Sequence, residues 1–152
     1  MPGTFITRLV ISVERTSWSE CSVLEYPLTF HGSRIGHITV PPGFRTDLVS
    51  VPNWLRIWIA RLNGQTASPA IVHDWLYVRQ PCDREKADAV FYDALASCGV
   101  GPVKRWAMWA AVRLCGGRSW QRYAERKRLN QNGDPNVSQD RMRSNASWVK
   151  IA

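Results

Sequence analysis

Residues 68–99, SPAIVHDWLYVRQPCDREKADAVFYDALASCG, predict two helices joined by a short turn, and this helix pair is the clearest structural feature of the sequence. The first helix is predicted over 68–78, with Ser68 as its N-cap and a proline at its first position. The second is predicted over 84–97 with Asp83 as its N-cap. A connection this short favours an antiparallel helix pair.

His73 and Asp88 are predicted to face each other across this helix pair. Each lies about five residues from the connection, so both side chains stand about 7 Å from the turn at a rise of about 1.5 Å per residue. We therefore expect a buried hydrogen bond between them. Such a carboxylate fixes the tautomer of an imidazole and makes it a general base, whereas the alternative is a purely structural histidine on an apolar helix.

The residues before this stretch predict a small antiparallel sheet. β-Branched and aromatic residues are frequent over 5–13, 22–30 and 35–40, which predicts three strands with a tight turn at 31–34. With the helices that follow, the pattern predicts an α+β fold: a small N-terminal antiparallel sheet followed by three to four helices.

Two more helices and a tail complete the predicted organisation. One helix is predicted over 52–62, and another over 103–115 that Gly116-Gly117 interrupts before it resumes. Apolar residues on all sides of the latter favour burial at the centre of the domain. The alternative is a binding or membrane-interface face formed by a stripe of Trp106, Trp109, Arg113 and Trp120. Residues 1–128 are predicted to form a single globular domain, and 129–152 a basic polar tail that is either mobile or ordered by a partner.

Composition narrows the function classes further. The chain has 152 residues, 45% of them hydrophobic, which fits one folded domain and excludes a large multidomain enzyme. Its four cysteines form no CxxC pair, so a zinc ribbon is not predicted. The chain shows no signal peptide, so we expect a protein that is made in the cytoplasm. It has no apolar run of about 20 residues, so no transmembrane segment is expected.

The net charge of +8 is concentrated near the C-terminus, where residues 104–152 hold eleven of the 20 Lys and Arg but three of the 12 Asp and Glu. We expect this basic region to bind a partner or to act as a solvated face. Nucleic acid is one candidate partner, although no groove-reading motif accompanies the charge. The predicted partner-binding residues are Arg118, Arg122, Arg126, Lys127 and Arg128.

The pattern H-D-x-x-Y at 73–77, followed by A-D-x-x-F at 87–91, resembles the catalytic core of the secreted phospholipase A-two superfamily. The resemblance implies that His73 is a water-activating base, that Asp88 orients it and that Tyr77 donates a hydrogen bond to Asp88. It also implies that Asp74 is a calcium ligand. The cofactor we expect is therefore a divalent cation, with calcium or zinc as the candidates.

Asp47 and Ser50 have two interpretations. In the first, Asp47 joins Asp74 as a metal ligand or an acid, and Ser50 is a positioning hydroxyl. In the second, Asp47 forms an Asx turn and Ser50 caps the next helix. A triad of Ser50, His73 and Asp88 is a further hypothesis, but the Gly-x-Ser-x-Gly elbow typical of such nucleophiles is absent.

Over a longer span, GFRTDLVSVP at 43–52, HDWLY at 73–77, ADAVF at 87–91 and AVRLCGG at 111–117 resemble a family of uncharacterised phage and prophage proteins. The resemblance implies phage origin, a location in the host cytoplasm or the virion, and other phage structural proteins or the host envelope as partners. The function expected first is a small hydrolase-like protein with a metal-assisted His/Asp centre, acting on an ester of the host envelope. The alternative is a non-enzymatic virion component of tail or baseplate, or an assembly component, in which the His–Asp network is structural.

Overall fold

The computed structural model describes residues 3–15, 20–32, 34–46 and 66–131. The chain divides into two compact units, Met1–Gly116 and Gly117–Ala152. Within the described residues, two small antiparallel sheets precede four helices, which confirms the predicted α+β class. The predicted boundary between residues 128 and 129 stays a prediction.

Six short strands of the described residues form the two sheets, three strands in each. The first sheet has the order β1 (Thr4–Phe5), β4 (Leu28–Gly32), β5 (Gly36–Val40), and the second has the order β2 (Ile11–Arg15), β3 (Glu20–Leu24), β6 (Arg45–Thr46). All neighbouring strands are antiparallel. Side chains alternate along β4, where Leu28 and Phe30 are buried and His31 is exposed, so this sheet has one inner and one outer face.

The predicted strands 5–13 and 22–30 were wrong in one respect, because each of them divides between the two sheets. The hydroxyl of Thr7 accepts from the backbone N–H of Thr29 at 2.8 Å and donates to the carbonyl of Pro27 at 2.9 Å. The Thr7 side chain thus makes hydrogen bonds to backbone groups that would pair with backbone groups of β1 if that strand continued. Strand β1 therefore ends before Thr7. Pro27 has no N–H to donate, and it separates β3 from β4.

The helices are α1 (Ala67–Arg79), α2 (Arg84–Ser97), α3 (Pro102–Cys115) and α4 (Gly117–Gln131). The predicted N-cap at Ser68 was wrong: α1 begins at Ala67, and Thr66 is the N-cap without a side-chain cap hydrogen bond. Proline is accepted within the first turn because the N–H groups there have no partner inside the helix. The predicted cap at Asp83 is confirmed, since its carboxylate accepts from the backbone N–H of Lys86 at 2.8 Å.

The pair α1 and α2 packs on the inner face of the first sheet. This face presents Leu28, Phe30, Ile38 and Val40, all at most 4% exposed. On its other side, α2 packs against α3 through a cluster that contains Phe91, Leu95, Val100, Met108, Ala111 and Val112. Among the described elements, helix α2 therefore lies between the first sheet and α3, and its polar residue Asp88 is fully buried.

Burial of α3 at the domain centre was a wrong prediction. Only Met108, Ala111 and Val112 of this helix are buried, while Trp106 is 59% and Leu114 is 85% exposed among the described residues. Among the described elements, the main packing partner of this helix is α2. The predicted helix over 52–62 lies outside the described residues.

Helix α4 belongs to the second unit and is strongly polar. It carries all the predicted partner-binding residues, and all are exposed: Arg118, Arg122, Arg126, Lys127 and Arg128. Arg118, Arg122 and Arg126 recur every four residues, which places them on one side of the helix. In the part of the chain that the structure describes, none of the helices has the length and apolar character needed to cross a membrane.

Candidate functional site

Asp88 is the centre of a buried polar site between α1, α2 and α3. Its side chain is fully buried, and three side chains from the described residues donate to it. His73 Nε2 lies 2.9 Å and the Tyr77 hydroxyl 2.7 Å from Oδ1, whereas Arg113 Nη1 lies 3.1 Å from Oδ2. A carboxylate without such donors would be very costly to bury, so these bonds explain how Asp88 is accommodated.

The charge state of Asp88 follows from these contacts. Burial raises the pKa of the carboxyl, but the hydrogen bonds from His73, Tyr77 and Arg113 outweigh it and hold the pKa below the usual value. Asp88 is therefore an ionised acceptor. Because an ionised carboxylate can only accept, the Nε2 of His73 carries the hydrogen in this bond.

His73 is held in one orientation by helix position and by stacking. Its ring centroid lies 4.2 Å from that of Tyr77 and 4.8 Å from that of Phe91. With Nε2 bonded to Asp88, the second nitrogen, Nδ1, is the basic one. The imidazole is 9% exposed whereas Asp88 is not exposed at all, so of the two groups His73 is the one that a water molecule can meet.

Tyr77 lies one turn after His73 and reaches Asp88 from the same helix face. Burial and the hydrogen bond to Asp88 raise the pKa of its phenol, which keeps the hydroxyl a donor. Its oxygen passes close to Gly116, where a Cβ atom would come within 2.5 Å of it. The glycine after α3 thus gives the phenol its room.

Arg113 is the member of this site that sequence reasoning missed. It comes from α3 and bonds the second oxygen of Asp88, and its own carbonyl accepts from Arg84 at 3.2 Å. Arg113 lies in one of the motifs that carry the family resemblance, but a basic residue in the last turn of α3 is also expected from the helix dipole alone, so the sequence did not point to this contact.

Asp74 lies on α1 next to His73, and its Oδ2 accepts from the hydroxyl of Thr46 in β6 at 2.5 Å. Asp47 and Ser50 lie outside the described residues, so their predicted roles stay predictions. Among the residues that the structure does describe, no group of three or more His, Cys, Asp or Glu side chains could hold a metal ion. The described residues by themselves therefore supply one carboxylate of the expected cation site, and the rest of it depends on Asp47.

An open groove of about 380 Å³ lies elsewhere in the first unit. It runs along α2 and α3 and is lined by Arg34, Glu85, Ala89, Tyr92, Trp106 and Trp109. None of these residues belongs to the Asp88 site, so the groove and the candidate site are separate features.

Taken together, the fold and the site define a small α+β protein with a buried His–Asp–Tyr cluster, joined by a partly exposed arginine, between three helices. The chain belongs to a family described as "Protein of unknown function (DUF1353)", whose sequence profile matches residues 22–112. The matched segment includes His73, Tyr77 and Asp88 and ends one residue before Arg113. No curated protein and no solved structure matches the chain.

Proposed function

We propose that this protein is a small hydrolase of phage origin, in which His73 activates water for attack on a carboxylic ester of the host envelope. The observation that carries the proposal is the hydrogen bond between His73 Nε2 and the fully buried, ionised Asp88. This bond assigns the basic lone pair to Nδ1 and stabilises the imidazolium that forms when Nδ1 takes a proton. Tyr77 and Arg113 hold Asp88 in place for this role.

The proposed step is general-base catalysis. Nδ1 of His73 removes a proton from water while the water oxygen forms a bond to the ester carbonyl carbon. The tetrahedral intermediate then expels the alcohol, which takes the proton back from the imidazolium. Asp88 stays ionised throughout and acts by orienting His73, so it is a positioning residue.

The test is hydrolysis of 4-nitrophenyl butyrate and of phosphatidylglycerol vesicles by the wild-type chain and by His73→Gln. We expect wild-type turnover and its loss in His73→Gln, while Asp88→Asn lowers kcat by about 10²- to 10⁴-fold. Asp93→Asn is the matched control, since Asp93 lies on the same helix but pairs with the exposed Arg34. This variant should retain full activity.

Circular dichroism melts of the same variants separate lost chemistry from lost folding. A variant that is folded at the assay temperature and inactive supports the proposal. Hydrolysis by folded His73→Gln at the wild-type rate contradicts it, as does a wild-type chain that turns over neither substrate.

A cation held by Asp74 and Asp47 is the second part of the proposal, with calcium or zinc as the candidates. Support comes from the position of Asp74 next to His73 and from its half-buried carboxylate. At 100-fold excess over Kd a bound ion should stabilise the fold by about 2.7 kcal/mol. Melts of metal-stripped protein with each ion should show this rise, and Asp74→Asn should abolish it. A rise of equal size in Asp74→Asn would contradict this part.

The alternative function is a non-enzymatic virion or assembly component that binds its partner through helix α4. The observation that favours it is the row of exposed Arg118, Arg122 and Arg126 on one side of that helix. In this case the Asp88 network is structural. The wild-type chain then hydrolyses no substrate, and His73→Gln lowers only the stability. Mass spectrometry of purified particles should find the chain, and replacing the three arginines by glutamine should remove it from them. Particles that lack the wild-type chain would contradict this alternative.

A further inference from the structure

Two histidines form a pair on the outer face of the first sheet, away from the Asp88 site. His31 in β4 and His37 in β5 are direct partners in the strand register. Both side chains are exposed, and their ring centroids lie 4.3 Å apart with the planes tilted by 45°. No hydrogen bond or ion pair to other described residues occupies either imidazole.

The separation of the two rings matches that of two imidazoles on one metal ion. With each nitrogen about 2.0–2.1 Å from the ion, ring centroids lie about 4.5 Å apart at a right angle and about 5.2 Å apart at a tetrahedral angle. The observed 4.3 Å is closer to the right-angled arrangement. Neighbouring ligands stand at about a right angle in square-planar and octahedral complexes. Imidazole is a preferred ligand of copper and nickel, which form such complexes.

The surroundings of the pair suit a hydrated ion. The side chains next to the histidines on this face carry hydroxyl groups. Thr4 lies opposite His31, and Thr29 lies opposite Thr39 with their hydroxyl oxygens 3.2 Å apart. No Lys or Arg of strands β1, β4 and β5 competes for this face. The hairpin holds both ligands in place before binding, which makes the second bond nearly intramolecular.

We propose that His31 and His37 form a two-histidine site for a divalent transition-metal ion of the copper and nickel type, with water in the remaining positions. The site uses neither Asp88 nor Asp74, so it does not depend on the proposed hydrolytic function.

The experiment is calorimetric titration of the full chain with Ni²⁺, which avoids the thiol oxidation that Cu²⁺ would cause. We expect one bound ion per chain, and about 100-fold weaker binding in His31→Gln and in His37→Gln. The double variant should bind nickel no more tightly than either single variant, because it has lost both imidazole ligands. In proton NMR spectra, paramagnetic Ni²⁺ should broaden the ring signals of His31 and His37 first.

Cys115→Ser is the control, since Cys115 is an exposed free thiol that could also bind nickel. Unchanged affinity in this variant supports the histidine site. Loss of affinity in Cys115→Ser, unchanged affinity in His37→Gln, or absence of nickel binding by the wild-type chain would each overturn the proposal. Both histidine variants are surface changes, and melts in the absence of metal should match the wild type.

Discussion

At the scale of single residues, Asp88 determines the character of the site. A fully buried carboxylate is rare unless its charge is compensated, and here three donors on two oxygens provide that compensation. Removal of one donor leaves Asp88 buried and less well satisfied. The cost of such a change therefore exceeds that of the same change at the surface.

Tyr77→Phe should destabilise the protein by about 1–3 kcal/mol, because it deletes a donor to a buried acceptor and leaves the packing of the ring intact. Tyr26→Phe is the matched control, since Tyr26 is 65% exposed, and it should change stability by less than about 0.5 kcal/mol. Urea denaturation of the three proteins measures both effects. Equal stability of the two variants would show that the Tyr77 bond contributes nothing.

Acid should destabilise the wild-type chain through Asp88. The pKa of this carboxyl is lower in the folded chain than the value of about 3.9 expected after unfolding, so the unfolded state binds the proton more readily. The stabilisation is complete above about pH 4 and is lost as the pH falls through the folded value. Urea midpoints between about pH 7 and 2.5 should therefore fall more steeply for the wild type than for Asp88→Asn. Parallel curves would contradict this assignment.

At the scale of elements, the site depends on how the ends of helices meet. Tyr77 comes from the last turn of α1, Asp88 from the second turn of α2 and Arg113 from the last turn of α3. The end of α3 has to leave space for the Tyr77 hydroxyl, and Gly116 provides it. A small change at the end of α3 should therefore affect the packing of all three helices.

Gly116→Ala should lower the stability by about 1–3 kcal/mol despite its helical backbone angles. In open space this change would stabilise by about 0.4–1 kcal/mol, but the new Cβ would come within 2.5 Å of the Tyr77 oxygen. Gly101→Ser is the control, because nothing lies within 4 Å of that position and serine is a good N-cap for α3. Thermal melts should show a lower Tm for the first variant only. A Tm for Gly116→Ala at or above that of the wild type would contradict the expected clash.

At the scale of the whole molecule, the division after Gly116 separates the candidate site from helix α4. All the described partners of Asp88 precede this point, and so does the segment that matches the family. The basic helix lies in the other unit. The two units can therefore be tested as separable parts of the function.

A chain that ends at Gly116 should fold, with the Asp88 network intact. A chain that ends at Val112 loses the Arg113 donor, which should cost on the order of 2 kcal/mol for a hydrogen bond to a charged group. Two-dimensional NMR spectra and urea denaturation of both chains check this. The prediction would be contradicted if the chain that ends at Gly116 were unfolded, or if the two shortened chains were equally stable.

The helix pair and its polar contact follow from local features of the amino-acid sequence. The cap at Asp83, the short connection and the placement of His73 and Asp88 at equal distances from it are local features, so they predicted the His73–Asp88 bond that the structure contains. The positions of Asp47 and Ser50 lie outside the described residues, and their predicted roles stay open to experiment.

The remaining features depend on contacts between residues far apart in the chain. Arg113 joins Asp88 from 25 residues away, and nothing local distinguishes it from a solvated arginine. The predicted strands divide between two sheets because Thr7 and Pro27 interrupt the backbone hydrogen bonding between strands. The sequence pattern that predicted the strands continues past both residues. The turn predicted at 31–34 placed His31 outside a strand, whereas β4 continues to Gly32 and sets His31 opposite His37. Local pattern determines which elements form, but long-range contacts depend on packing that short stretches of sequence do not encode.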